Sequence, residues 1–200
     1  MTEPSYDAIT HDQPARRPVA PYIVLAVALV VGGFFVLLAG SKTRVNKEDP
    51  ATPLLGRPAP EIIGPTLQGN DFQLTRRRGS WVVLNFFQST CVPCVREHPE
   101  LIAFDAQQAG LDDGAELVSI IFDDTVAAVR KFFADNGGGK WPVVATDGAA
   151  VDYGVSKVPE TWIIDPDGLI QTRVISEVSA EGLAALVEQL RVARSERAAA

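Results

Sequence analysis

Cys91 and Cys94 are the two cysteines in this chain of 200 residues, and Val92 and Pro93 stand between them. A pair at that spacing can close a small disulfide ring and reopen it by thiol–disulfide exchange. The pair follows the apolar run Trp81 to Phe87, WVVLNFF, and opens a helical pattern that continues to about Gln108. Free amide N–H groups and the dipole at a helix N-terminus favour a thiolate, so the cysteine pKa falls below its free value of about 8.5. Cys91, at the helix start, is the expected attacker. Cys94, one turn further in, lies closer to the core. Pro93 stiffens the first turn at no loss of a helical hydrogen bond. Exchange between two sulfurs needs no cofactor, and none is expected.

Other readings of two cysteines have to be weighed. Half of a zinc site would need further ligands, and the chain has only His11 and His98 to offer. Haem attachment needs a histidine directly after the second cysteine, where this chain has Val95. A copper-carrying pair would have three intervening residues. Two rivals stay open: a thiol oxidant or peroxidase using Cys91, and a metal-carrying binding module using Cys91, Cys94 and His98. His98 itself reads as a packing or surface residue. The second chemical feature is Val158-Pro159, with Glu160-Thr161 beginning a strand. A proline just before a buried strand is unusual, and a cis bond is one way to seat it; an ordinary trans turn is the alternative. Following a CxxC in an α/β chain, the cis bond is the expectation.

These residues need elements to hold them. Thr66 to Leu74 reads as a hairpin with Gly69-Asn70 in its turn. Trp81 to Phe87 and Glu116 to Phe122 are apolar runs of strand length, as central strands require. Thr125 to Asn136 is amphipathic, with Val126, Val129, Phe132 and Phe133 on one face. Trp141 to Ala145 predicts a third strand. Thr161 to Ile164 and Leu169 to Ile175 predict two more, joined by the turn Asp165-Pro166-Asp167-Gly168. Ser179 opens a last helix, with Glu181 early and Arg191 late, as the helix dipole prefers. Strands alternating with helices predict an α/β sandwich with helices on both faces.

The chain ahead of this domain is different in kind. Tyr22 to Ala39 is an eighteen-residue run without a charge. As a helix it would be about 27 Å long, close to a hydrocarbon core of about 30 Å. A cleaved signal peptide would have a shorter apolar region and a shorter leader, so an uncleaved anchor at residues 21–40 is the expectation, with residues 22–39 in the bilayer. The basic residues Arg16 and Arg17 precede it, and Lys42, Arg44 and Lys47 follow it. That count slightly opposes an inside N-terminus. Residues 1–20 read as a disordered tail, 41–53 as a tether rich in charge and proline, 54–192 as the folded domain and 193–200 as a C-terminal tail. Lys plus Arg number 18 and Asp plus Glu 25, a net charge of −7, so no nucleic-acid partner is expected. With 46% hydrophobic and 22% charged residues the chain has a globular balance, which excludes disorder throughout.

Four stretches carry a family resemblance: Gly56-Arg57-Pro58-Ala59-Pro60, the run WVVLNFFQSTCVPCVREHPEL, the run YGVSKVPETWIIDPDG, and Glu116 to Ala145 as an extra strand and helix. Together they resemble the membrane-tethered thioredoxin-like reductases of cytochrome c maturation, the TlpA, ResA and CcmG types, over residues 54–190. The resemblance implies a thioredoxin-like fold with an N-terminal β-hairpin and a central strand–helix insertion. It implies a domain outside the cytoplasm that reduces the CxxCH disulfide of apocytochrome c, and a membrane electron carrier of the CcdA or DsbD type that re-reduces it. It further implies that Pro159 packs across from the disulfide and that the Val158 backbone pairs with substrate. The family usually has Trp before the first cysteine; this chain has Thr90. An acidic residue three after the second cysteine is also implied, and Glu97 occupies that position. A carboxylate there could relay protons during exchange, with a raised pKa if buried. Alternatively it simply suits the helix dipole, as Glu100 does.

Overall fold

The structure, a computed structural model, describes residues 52–199. The expected tail at 1–20, the anchor at 21–40 and most of the tether at 41–53 lie outside the described residues. Among the described residues, no helix is long and apolar enough to cross a membrane.

A hairpin opens the fold: β1 (Ile63–Pro65) pairs antiparallel with β2 (Asp71–Gln73). The pairing starts earlier than the hairpin read at Thr66, because residues 66–70 form the turn. There the Thr66 amide donates to the Asn70 carbonyl, and Gly69 takes a φ of +89°, the left-handed region that favours glycine. A short 3-10 turn, Leu74–Arg77, leads to β3 (Val82–Phe87). Then come helix α1 (Val92–Gln108), β4 (Glu116–Ile121), α2 (Val126–Asp135), β5 (Val143–Val144), α3 (Ala149–Asp152), β6 (Glu160–Ile164), β7 (Ile170–Val174) and α4 (Ala180–Ala199).

The five strands of the main sheet lie in the order β5-β4-β3-β6-β7. Central β3 is buried at all six positions, as its unbroken apolar run requires. It runs parallel to β4 and antiparallel to β6, with Val82 opposite both Glu116 and Ile164. Alternate side chains feed two cores. Val83 and Phe87 pack with Leu101 and Phe104 of α1, Phe132 and Phe133 of α2, and Leu183 and Val187 of α4. Val82, Leu84 and Phe86 pack with Ile62, Phe72, Tyr153 and Trp162. Helices therefore lie on both faces, unevenly: three on the first, and only short α3, with the hairpin residues, on the second.

Further details differ from expectation, among them the third strand, which keeps only Val143–Val144 of residues 141–145. The C-terminal helix continues to Ala199, so residues 193–199 are helix where a tail was expected. Side chains along its last turns explain the extension: Arg194 pairs with Asp167 at 2.9 Å and Arg197 reaches the Gln171 side chain at 3.3 Å. Val126, expected on the buried face of α2, is 41% exposed: it is the first residue of the helix, directly after the Thr125 cap, and the buried face is made by Val129, Phe132 and Phe133.

The turn after α1 fixes how the helix returns to the sheet. The Ala115 amide donates to the buried Gln108 side chain at 2.9 Å. A Cβ on Gly114 would sit 2.0 Å from the Gln108 carbonyl oxygen, closer than any side chain can approach. Gly114→Ala should therefore destabilise the domain by about 1–3 kcal/mol, as overpacking against a rigid backbone does. Gly110→Ala, where the nearest atom is 3.5 Å away, is the control and should change stability little. Urea denaturation of both variants checks this; equal midpoints would sink the account of the turn.

Candidate functional site

The site forms where β3 delivers the chain to the N-terminus of α1. Two contacts fix the connecting loop. Gln88 Nε2 donates to the Asp123 carbonyl, and the Ser89 amide donates to Asp124 Oδ2, both at 2.7 Å. Cys91 is the N-cap residue of α1, with extended backbone at φ −76° and ψ 111°. Its Sγ accepts the Cys94 amide N–H at 3.2 Å, so the sulfur occupies the place a serine or aspartate oxygen takes in an ordinary cap. Cys91 and Cys94 form a disulfide with their Cα atoms 5.2 Å apart. Cys91 is half-buried, and Cys94 is 3% exposed. The first sulfur is thus the one a partner can reach. Thr90 is exposed directly ahead of it.

The antiparallel register of β3 and β6 brings the second segment to the same place. Phe86 lies opposite Glu160, so the start of β6 meets the end of β3 beside the disulfide. The Val158–Pro159 bond is cis, as expected, and Pro159 is buried. The Val158 carbonyl oxygen stands 3.6 Å from Cys91 Sγ. Below it, buried Glu160 accepts from Trp162 Nε1 and from Arg173 Nη2, each at 2.8 Å, with the Arg173 guanidinium stacked over the Trp162 ring.

Glu97 is 1% exposed, three residues after Cys94 and so on the same side of α1. Asn85 Nδ2 donates to Glu97 Oε1 at 3.3 Å and to Thr161 Oγ1 at 3.2 Å. Burial pushes the Glu97 carboxyl up from an ordinary 4.5 to about 8. The Val178 amide and Asn85 partly oppose that shift, while the negative charge of Glu177 adds to it. His98 turns away from the sulfurs. Its ring packs edge-on against Phe132 and Phe133, and Nε2 meets the Gly138 carbonyl at 2.7 Å. Burial lowers its pKa. Among the described residues, no group of three or more His, Cys, Asp or Glu side chains is arranged to hold a metal ion. Glu100, read as a helix-start carboxylate, instead accepts the Ala180 amide at 2.9 Å and caps α4.

Asn85 and Thr161 were missed in the sequence. One signal was there to use: Asn85 interrupts an otherwise apolar central strand, and a buried carboxamide needs partners.

A sheet strand that delivers a cysteine pair to a helix N-terminus, with a cis-proline facing it from the next strand, defines a thioredoxin-like thiol–disulfide oxidoreductase. Residues 55–173 match the AhpC/TSA family, and the chain belongs to it. Its relatives carry the same chemistry in their names. Thiol-disulfide oxidoreductase ResA of Bacillus thuringiensis subsp. konkukian is 30% identical over 161 residues, covering 80% of this chain and 85% of that protein. Thiol:disulfide interchange protein HelX of Rhodobacter capsulatus is 29% identical over 179 residues, covering 85% and 92%. Among solved structures, a thiol:disulfide interchange protein of the DsbE type from Chlorobium tepidum superposes with a TM-score of 0.60 at 26% identity, covering 70% of this chain and 96% of that one. These relatives bear out the resemblance to thiol–disulfide oxidoreductases of the ResA and CcmG types.

The raised Glu97 pKa has a consequence for stability. The folded state holds this proton more tightly than the unfolded chain, so its contribution is full below about pH 4.5 and is lost as pH rises to about 8. Oxidised Glu97→Gln should lose less stability than the wild type between pH 5 and pH 8, as measured by urea denaturation at both. Parallel behaviour of the two proteins would show that Glu97 titrates normally.

Proposed function

We propose that the protein is a membrane-anchored reductant of protein disulfides, with its domain outside the cytoplasm, and that its substrate is the CxxCH disulfide of apocytochrome c before haem attaches. The observation that carries the redox part of this reading is the Cys91 sulfur capping α1. A sulfur that already accepts a helix N-terminal amide is stabilised as thiolate when the pair is reduced, by on the order of 1 kcal/mol from the dipole alone. Cys91 thiolate attacks the substrate disulfide, forming a mixed disulfide and expelling one substrate thiolate. Cys94 then attacks Cys91 Sγ, the Cys91–Cys94 bond forms, and the second substrate thiolate leaves. The Val158 backbone, beside Cys91, pairs with the substrate strand, and Pro159 holds that segment. Glu97 accepts and returns the proton that Cys94 loses.

The extracytoplasmic placement rests on chemistry. Cytosolic thioredoxin and glutathione would reduce such a pair without any anchor. A reductase outside needs electrons from a membrane thiol carrier of the CcdA or DsbD type, and the apolar run at 22–39 would keep the domain beside it. The names of the ResA and HelX relatives support the exchange chemistry, and the likeness to them supports this placement.

Cys94→Ala should accumulate a mixed disulfide between Cys91 and an apocytochrome c CxxCH peptide, visible on non-reducing gels, whereas Cys91→Ala should trap nothing. Equal trapping by both variants would contradict the assigned roles. The reduction potential of the Cys91–Cys94 couple, measured against glutathione, decides direction. A couple more oxidising than glutathione would make the protein an oxidant, since about 30 mV is 1.4 kcal/mol for two electrons.

A further inference from the structure

Central β3 carries one polar residue, Asn85, and it is 1% exposed. Both hydrogens of its carboxamide nitrogen are used, one toward Glu97 Oε1 on α1 and the other toward Thr161 Oγ1 on β6. Thr161 is fully buried and stands directly opposite Asn85 in the sheet register, two residues beyond Pro159. A single side chain therefore joins the carboxylate to the strand that begins with the cis-proline segment. Two oxygens of this cluster are buried without a hydrogen-bond partner: Glu97 Oε2 and Asn85 Oδ1. Both are acceptors while Glu97 is ionised, so these two atoms lack a donor, the donors toward the carboxylate being Asn85 Nδ2 and the Val178 amide. Protonating Oε2 supplies one.

We propose that Asn85 is a positioning residue of the exchange reaction: held by Thr161, its carboxamide fixes Glu97 Oε1 as an acceptor and leaves Oε2 as the oxygen that takes up and returns the exchange proton. This rests on the proposed relay role of Glu97 and adds the group that orients it. In the resolving step Cys94 gives its proton to Oε2 and attacks Cys91 Sγ. The bond from Cys91 to the substrate sulfur breaks, and the bonding pair leaves with that sulfur. Oε2 then returns its proton to the departing thiolate, so the sulfurs exchange two electrons and the carboxyl ends as it began. Without Asn85, Glu97 would lose a donor to its charged form and could rotate, exchanging the roles of its two oxygens.

Charged and titratable groups around Glu97 set the background for a pH test. On α1 these are Cys91, Cys94, Arg96, His98 and Glu100. Ahead of α4 stands Glu177, which pairs with Arg96; β3 and β6 contribute neutral Asn85 and Thr161, and Glu160 of β6 is taken up by Trp162 and Arg173. His98 is held by Gly138, and Glu100 by the α4 cap. The removal of the Asn85 donor should therefore read out through Glu97.

The test uses the full chain, reduced, purified in detergent, with Cys91 alkylation by iodoacetamide followed against pH. Asn85→Leu keeps the volume and removes the donor. Its upper titration limb should move up by about one pH unit, a tenfold change in proton equilibrium, as expected for a lost hydrogen bond to a carboxylate. Thr161→Val frees one end of the carboxamide and should move the limb in the same direction by less. Asn85→Leu combined with Glu97→Gln should match Glu97→Gln alone, because both act on one proton. Superimposable profiles for Asn85→Leu and wild type, or a shift that adds fully to that of Glu97→Gln, would overturn the proposal. Should Asn85→Leu fail to fold, the infrared carboxyl band of Glu97 in Thr161→Val decides, with a moved band in support and an unmoved one against. A Glu97→Gln variant with an unchanged profile overturns the relay role and this proposal together, while trapping by Cys94→Ala, which needs only the two sulfurs, would stand.

Discussion

The contact between the Cys94 amide and Cys91 Sγ is the interaction on which the site depends. A helix N-terminus leaves amide donors without partners, and here a sulfur takes one of them. That requires the cysteine to sit at the N-cap, which requires the strand before it to end at a fixed point. Burial of β3 on both faces provides this, since a one-residue slip would exchange the contents of the two cores. The loop between strand and helix is short and is tied at Gln88 and Ser89 to the end of β4. The reactive sulfur is placed by packing some distance from itself.

Beside this favourable contact lies an unfavourable one. A carboxyl group that is 1% exposed, with one oxygen lacking a partner, destabilises the fold whenever it is ionised. Burial shifts its titration to about 8. A group that is easily protonated near neutral pH, one turn from a cysteine pair, is the kind that acid–base chemistry uses. Among the described residues the other buried carboxyls are matched: Glu160 is satisfied by Trp162 and Arg173, and Asp165 accepts from the amides of Asp167 and Leu169 and from Gln171. The contrast sets Glu97 apart from the other buried carboxyls.

The sheet also determines what faces the disulfide. Because β6 runs antiparallel to β3, its first residues rather than its last arrive beside Cys91. The Val158 carbonyl, 3.6 Å from the sulfur, follows from that direction. A parallel strand would have carried the proline to the far end of the sheet.

Much of this was legible in the residues alone. Apolar runs of strand length located β3, β4 and β6, and the turn signals at Gly69-Asn70 and Asp165 to Gly168 located two hairpins, since these depend on local periodicity and backbone freedom. The cysteine spacing, the helix it opens and the proline before β6 identified the chemistry for the same reason. The length of α4 was not legible, because its last turns are held by Asp167 and Gln171, which are remote in sequence. Nor was the exposure of Val126, or the turning of His98 into the rings of Phe132 and Phe133. The Asn85–Glu97–Thr161 cluster needed the tertiary structure above all. Its members are separated by 12 and 76 residues from Asn85, and only strand register and helix packing bring them to one point. Local sequence determines which elements form and which atoms can react. The proton affinity of a buried carboxyl depends on what surrounds it, and that is decided only when distant segments pack.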